Sequence, residues 1–128
     1  MLQLSGRLLM VVLKYQFGSP VIPALQYIPM TPPEECTSID EIRNAIDTLD
    51  RTIIAALGQR FGYVKAITRF KRTPEDVAAP ARYQHVLTTR RTWAEEAGLS
   101  PDAIERMYRD LIAYFIDEEM KLLKNRDE

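Results

Sequence analysis

The chain has 128 residues, 46% apolar and 27% charged, which fits one folded domain and excludes disorder throughout. Lys and Arg total 17 against 18 Asp and Glu, a formal charge of -1 that argues against a general nucleic-acid or membrane-surface binder, so an anionic ligand must be held by a local cluster of bases. One Cys (Cys36) and one His (His85) leave no internal disulfide and no His-rich zinc site, and the glycine motifs GxGxxG, GxxxxGK[ST] and GxSxG are absent. The lone cysteine fits a reducing compartment, and a cytoplasmic protein is expected.

In chain order, residues 1–29 differ in composition from the rest of the chain. They hold no Asp or Glu, two bases (Arg7, Lys14) and three prolines (Pro20, Pro23, Pro29). The apolar run at residues 8–13 is far short of the ~20 residues needed to span a bilayer. Lys14 follows it at once and no small-x-small site comes after, so it makes a poor signal peptide. Residues 1–29 are expected to be a loose extension or an upstream start, with the working domain at residues 30–128.

Ser38-Ile39-Asp40-Glu41 is a capping box, in which Ser38 accepts from a free amide while Glu41 reaches back. Apolar residues then fall at 39, 42, 46, 49, 53, 57, 64 and 67, the stripe of one amphipathic helix. The spacing predicts a helix over residues 39–70, ~48 Å long at 1.5 Å per residue. Residues 71–76 read as a break, with Thr73 as a cap and Pro74 in a first-turn position. A second helix is expected from Pro80 to Ala97, with Tyr83, Val86, Leu87, Trp93 and Ala97 as its apolar side and Gly98 as its C-terminal cap. Ser100-Pro101-Asp102 opens a third, whose apolar face runs from Ile104 to Met120, and residues 125–128 are expected to fray. The fold class is all-α: three helices, one very long and two shorter, and no strands. A ~48 Å helix outreaches a compact ~100-residue domain, whose radius of gyration is ~13 Å. An intertwined homodimer, each long helix partly covered by the other subunit, solves this. A kink at Gly58 or Gly62 is the monomeric alternative.

Three bases lie in or beside the long helix. Arg60 and Lys71 are 11 residues apart, close to three turns, and share a face. Arg43 lies 17 residues before Arg60, ~25 Å along the axis. One small ligand cannot touch both Arg43 and Arg60 in a single chain, although an antiparallel dimer can bring them together. On composition alone, solvated helix-face bases are the simpler reading.

Five segments carry a resemblance: Pro33-Glu34-Glu35-Cys36-Thr37, Ile42-Arg43-Asn44-Ala45-Ile46-Asp47, Tyr63-Val64-Lys65-Ala66 running into Arg69-Phe70-Lys71, Ala79-Pro80-Ala81-Arg82, and Trp93-Ala94-Glu95-Glu96-Ala97-Gly98-Leu99. From Met30 to about Leu123 the chain resembles the all-helical chorismate mutase superfamily, and within it the isochorismate pyruvate lyases of bacterial salicylate biosynthesis. The resemblance implies a homodimer with shared active sites and a small dianionic substrate, with no metal or cofactor. It implies that Arg43 reaches into the partner's site to grip one carboxylate and that Arg60 binds the other. Lys71, on a loop, matches the lysine that hydrogen-bonds the breaking ether oxygen, and Arg82 the arginine that helps line the site. Glu119 stands where the lyase has a glutamine addressing the same oxygen.

Such residues suit a pericyclic reaction that needs no nucleophile. Arginines fix the conformer through bidentate carboxylate grips, and a lysine stabilises charge growing on the ether oxygen. Two departures bear on the substrate. The stretch Ala79-Pro80-Ala81-Arg82-Tyr83 has no acid where mutases usually bind the ring's C4 hydroxyl, as the lyase resemblance implies. Glu119 pulls toward a mutase, since some mutases use glutamate there. A carboxylate cannot donate to an ether oxygen and only the protonated acid can, so activity is expected to fall as pH rises. The expected activity is elimination of pyruvate from isochorismate to give salicylate, with weak action on chorismate. The alternatives are a chorismate mutase and, from another class, a non-catalytic helical dimerisation module. On pattern alone Glu118 and Glu119 read as surface charges of the third helix; Trp93 is expected in the core or the helix packing, Cys36 as a small residue before the first cap, and His85 on the surface or at an interface.

Overall fold

The computed structural model describes residues 30–126. The expectation for residues 1–29 therefore lies outside the described residues, as does any fraying of Asp127 and Glu128. Among the described residues every regular element is helical: a 3-10 turn at Pro33–Glu35, then α1 (Ile39–Ile67), a 3-10 turn (Thr68–Phe70), α2 (Pro74–Ala78), α3 (Pro80–Glu96) and α4 (Pro101–Arg126). The three expected helices are present. Two compact units divide between Thr48 and Leu49, and α1 runs through the division.

In the first unit, Ser38 opens α1 by accepting from the Glu41 amide at 3.1 Å. Glu41 reaches one residue further back than the capping box requires, taking the Thr37 amide at 2.9 Å and its hydroxyl at 3.2 Å. These bonds, the amide first, hold the Glu41 carboxyl below its ordinary range. Burial and then the carboxylates of Glu41 and Glu34 push the Cys36 thiol up, which disfavours the reactive thiolate. Ile39, Ile42 and Ile46 are exposed.

The second unit holds a core of Val77, Val86, Leu87, Ala94, Phe115 and Leu123. Here α3 and α4 form an antiparallel hairpin, tied by Arg91 to Asp102 at 2.7 Å near its bend and by Arg109 donating to the Tyr83 hydroxyl at 2.9 Å further along. Gly98, at φ 75°, makes the bend. The Leu99 amide donates to the Ala94 carbonyl and the Gly98 amide to that of Glu95, the paired bonds of a Schellman cap. Phe61 of α1 packs on Phe115 of α4, ring centroids 5.1 Å apart.

Several expectations need correction. The long helix turns to 3-10 geometry for its last three residues, and the break after it contains the five-residue α2. Thr73 caps α2 in a full box with Asp76, and Pro74 occupies the first turn. Trp93 is 53% exposed, because Val86, Leu87 and Ala94 are the residues of α3 that face the core. Asn125 and Arg126 are helical, Arg126 being held by its own hydrogen bonds. None of the residues of α1 is buried within one chain.

Candidate active site

A cleft of about 340 Å³ opens in the second unit. Each wall follows helical spacing. Arg60, Tyr63 and Ile67 come from successive turns of α1; Arg82, Val86 and Arg90 repeat every four residues on α3; Ile112, Phe115, Ile116 and Glu119 form one face of α4. Lys71 joins Arg60 in the lining, but from extended backbone beyond the 3-10 turn and not from a third helical turn as the spacing of 11 residues implies.

The charged lining is four bases, Arg60, Lys71, Arg82 and Arg90, and one carboxylate, Glu119. Lys71 Nζ donates to Glu119 Oε2 at 3.0 Å, and the Glu119 side chain is only 6% exposed. The guanidinium of Arg60 lies 5.0 Å from the centroid of the Phe115 ring, and its Nη1 is buried with no hydrogen-bond partner. Burial pulls Arg60 below the ordinary guanidinium range. Tyr108 opposes this, Arg90 and Arg82 add to it, and Glu119 again opposes it. A desolvated cation facing two others gains most from an anion brought into the cleft.

Four of the five residues singled out in the sequence thus share one cleft: Arg60, Lys71, Arg82 and Glu119. Arg43 does not line it; it is exposed on α1 in the first unit. Sequence reasoning missed Arg90. Its guanidinium sits 4.4 Å from the centroid of Trp93 and 5.7 Å from that of Tyr108, and its Nε is buried without a partner. The signal was present, because Arg90 follows Arg82 by two turns with Val86 between them. Glu118 pairs with Lys121 at 2.9 Å and His85 is exposed, both outside the cleft as expected. Among the described residues no three of His, Cys, Asp and Glu gather as metal ligands, and no helix is long and apolar enough to cross a membrane.

The model of the family described as chorismate mutase type II matches residues 42–120, more than half of the chain. The chain belongs to the chorismate mutase type II family. Its cleft draws every lining residue from within that match. The chain is also similar to the isochorismate pyruvate lyase of Pseudomonas aeruginosa, 42% identical over 92 residues that make up 72% of this chain and 91% of that protein. A more distant similarity is to the T-protein of Haemophilus influenzae, 34% identical over 73 residues, 56% of this chain but 19% of that protein.

Proposed function

We propose that this protein is an isochorismate pyruvate lyase. The observation that carries the reading is a cleft lined by four bases and a single carboxylate, in a chain 42% identical to a lyase of that name over 91% of that lyase's length. Isochorismate is a dianion. In the elimination a ring hydrogen passes to the methylene of the enolpyruvyl group as the ring–oxygen bond breaks, leaving salicylate and pyruvate. No nucleophile is consumed, so the protein's work is to fix the folded conformer and to stabilise charge on the ether oxygen.

Arg60 supplies a carboxylate grip from the α1 wall, where its guanidinium lacks a full set of protein partners. Lys71 supplies the positive charge at the ether oxygen, and Glu119, expected from the sequence as a protonated donor to that oxygen, instead accepts from the ammonium at 3.0 Å and holds it in place. Arg82 and Arg90 complete the cationic wall on α3. No acid of α2 or α3 lines the cleft, so the carboxylate that mutases usually set against the C4 hydroxyl of chorismate is missing on that side, which favours isochorismate.

The second carboxylate grip is Arg43 from another copy of the chain, in an intertwined homodimer with shared sites. The exposed isoleucines of α1 support that assembly: Ile39, Ile42 and Ile46 in the first unit, Ile53 and Ile54 in the second. One chain leaves them in water, and a second copy with the same stripe covers them.

A chorismate mutase is the second reading, favoured by Glu119, the feature in which the cleft departs from the lyase pattern. Incubating the purified protein with isochorismate and chorismate side by side tests both. Salicylate fluorescence from isochorismate is the expected result; prephenate from chorismate with no salicylate overturns the lyase reading, and inertness toward both removes the enzyme.

A further inference from the structure

Lys71 follows the 3-10 turn in extended backbone, at φ -103° and ψ 138°. A lysine there has a flexible stem and, on its own, no fixed place for its ammonium. Two residues of α4 supply one. Glu119 takes Nζ at 3.0 Å. Arg126, seven residues and thus two turns further along the same face, spans the backbone: Nη1 donates to the Thr68 carbonyl at 3.0 Å and Nη2 to the Lys71 carbonyl at 2.6 Å. One guanidinium thereby bridges the carbonyls at either end of the 3-10 turn, using the fixed fork of its donors. On the far side of Lys71, the amides of Arg72 and Thr73 donate to the Asp76 carboxylate at 2.9 and 3.2 Å.

We propose that Arg126 is a positioning residue that fixes the Lys71 backbone from the last turn of α4, so that the ammonium stands ready in the cleft before substrate arrives. The inference rests on the reading of Lys71 as the group that addresses the ether oxygen. Arg126 is absent from the cleft lining and acts only through Lys71. Loss of its two bonds widens the range of positions open to Nζ and leaves Arg60, Arg82 and Arg90 in place, so turnover suffers and substrate binding does not.

The test compares Arg126→Ala and Arg126→Lys, each alone and with Lys71→Ala, by steady-state formation of salicylate and by hydrogen exchange. Arg126→Ala is expected to lower kcat about 10-fold with KM changed less than about 2-fold, and to raise exchange several-fold over residues 68–73 but not in α3. Arg126→Lys keeps the charge and one donor and recovers part of both. In the Lys71→Ala background Arg126→Ala costs nothing further, because the route to catalysis is already gone. Equal losses in both backgrounds, or an unchanged kcat, overturn the proposal. Where Arg126→Ala does not fold, Arg126→Lys carries the test, expected at an intermediate kcat and overturned by wild-type kcat. Full activity of Lys71→Ala alone defeats the reading of Lys71, whereas the exchange of residues 68–73 still shows whether Arg126 holds that backbone.

Discussion

Lys71 and Glu119 stand 48 residues apart in sequence and 3.0 Å apart in space, and their substitutions separate charge from position. Lys71→Ala is expected to lower kcat/KM for isochorismate by at least ~10²-fold, the usual cost of removing a preorganised charge from a reacting oxygen. Glu119→Gln keeps a side chain of the same shape, adds an amide donor and removes the one negative charge in the cleft. Its KM for the dianion is expected to fall about 3- to 10-fold with kcat retained, as initial-rate kinetics will show; a higher KM counts against the assigned electrostatics. Arg90→Met keeps the stacking volume against Trp93 and loses the cation. It is expected to raise KM about 10-fold, a change that isothermal titration with a non-reacting dianion also detects. At this scale the sequence was partly legible. Arg60 and Lys71 are near neighbours along the chain, joined by the end of α1 and one 3-10 turn, whereas Glu119 and Arg90 reach the cleft only through the packing of the α3–α4 hairpin, which periodicity does not state.

Capping chemistry decides the beginnings of α1, α2 and α4 and was readable residue by residue, from Ser38, Thr73 and Ser100, with Gly98 at the bend between α3 and α4. The five residues of α2 were not readable as a helix, being too short to show a period. Nor was the exposure of Trp93, which depends on the rotation of α3 about its axis. Thr73→Ala is expected to cost about 1 kcal/mol in a denaturation experiment, the usual value of a lost N-cap. Asp76 adds a pH dependence. The Arg72 amide and then the Thr73 amide hold its carboxyl below the ordinary range, so its stabilisation is present above that range and is lost as pH falls through the lowered value. The Tm difference between wild type and Asp76→Asn should accordingly be positive near neutrality and close in acid; a difference that is the same at both ends assigns the effect elsewhere.

At the scale of the whole molecule, the all-helical class follows from the apolar spacing, while the proposed partner over the isoleucines of α1 is a matter of assembly that one chain does not contain. The proposed shared site has a direct check. Arg43→Ala and Lys71→Ala, each inactive alone, are expected to restore about a quarter of wild-type activity when refolded together, because half of the resulting dimers carry one intact site. No recovery, with dimers present by analytical ultracentrifugation, removes Arg43 from the partner's cleft. A different constraint sits at Ala79. That residue ends α2 and begins α3 in the left-handed region, at φ 39° and ψ 64°, a conformation alanine rarely adopts, and the next residue is a proline with its own φ fixed. The bend between the two helices therefore turns on a single alanine joint. Because α3 is itself locked to α4, that joint fixes how α2 meets the helix that carries Arg82 and Arg90, and so where Val77 and Ala78 stand in the wall beside them.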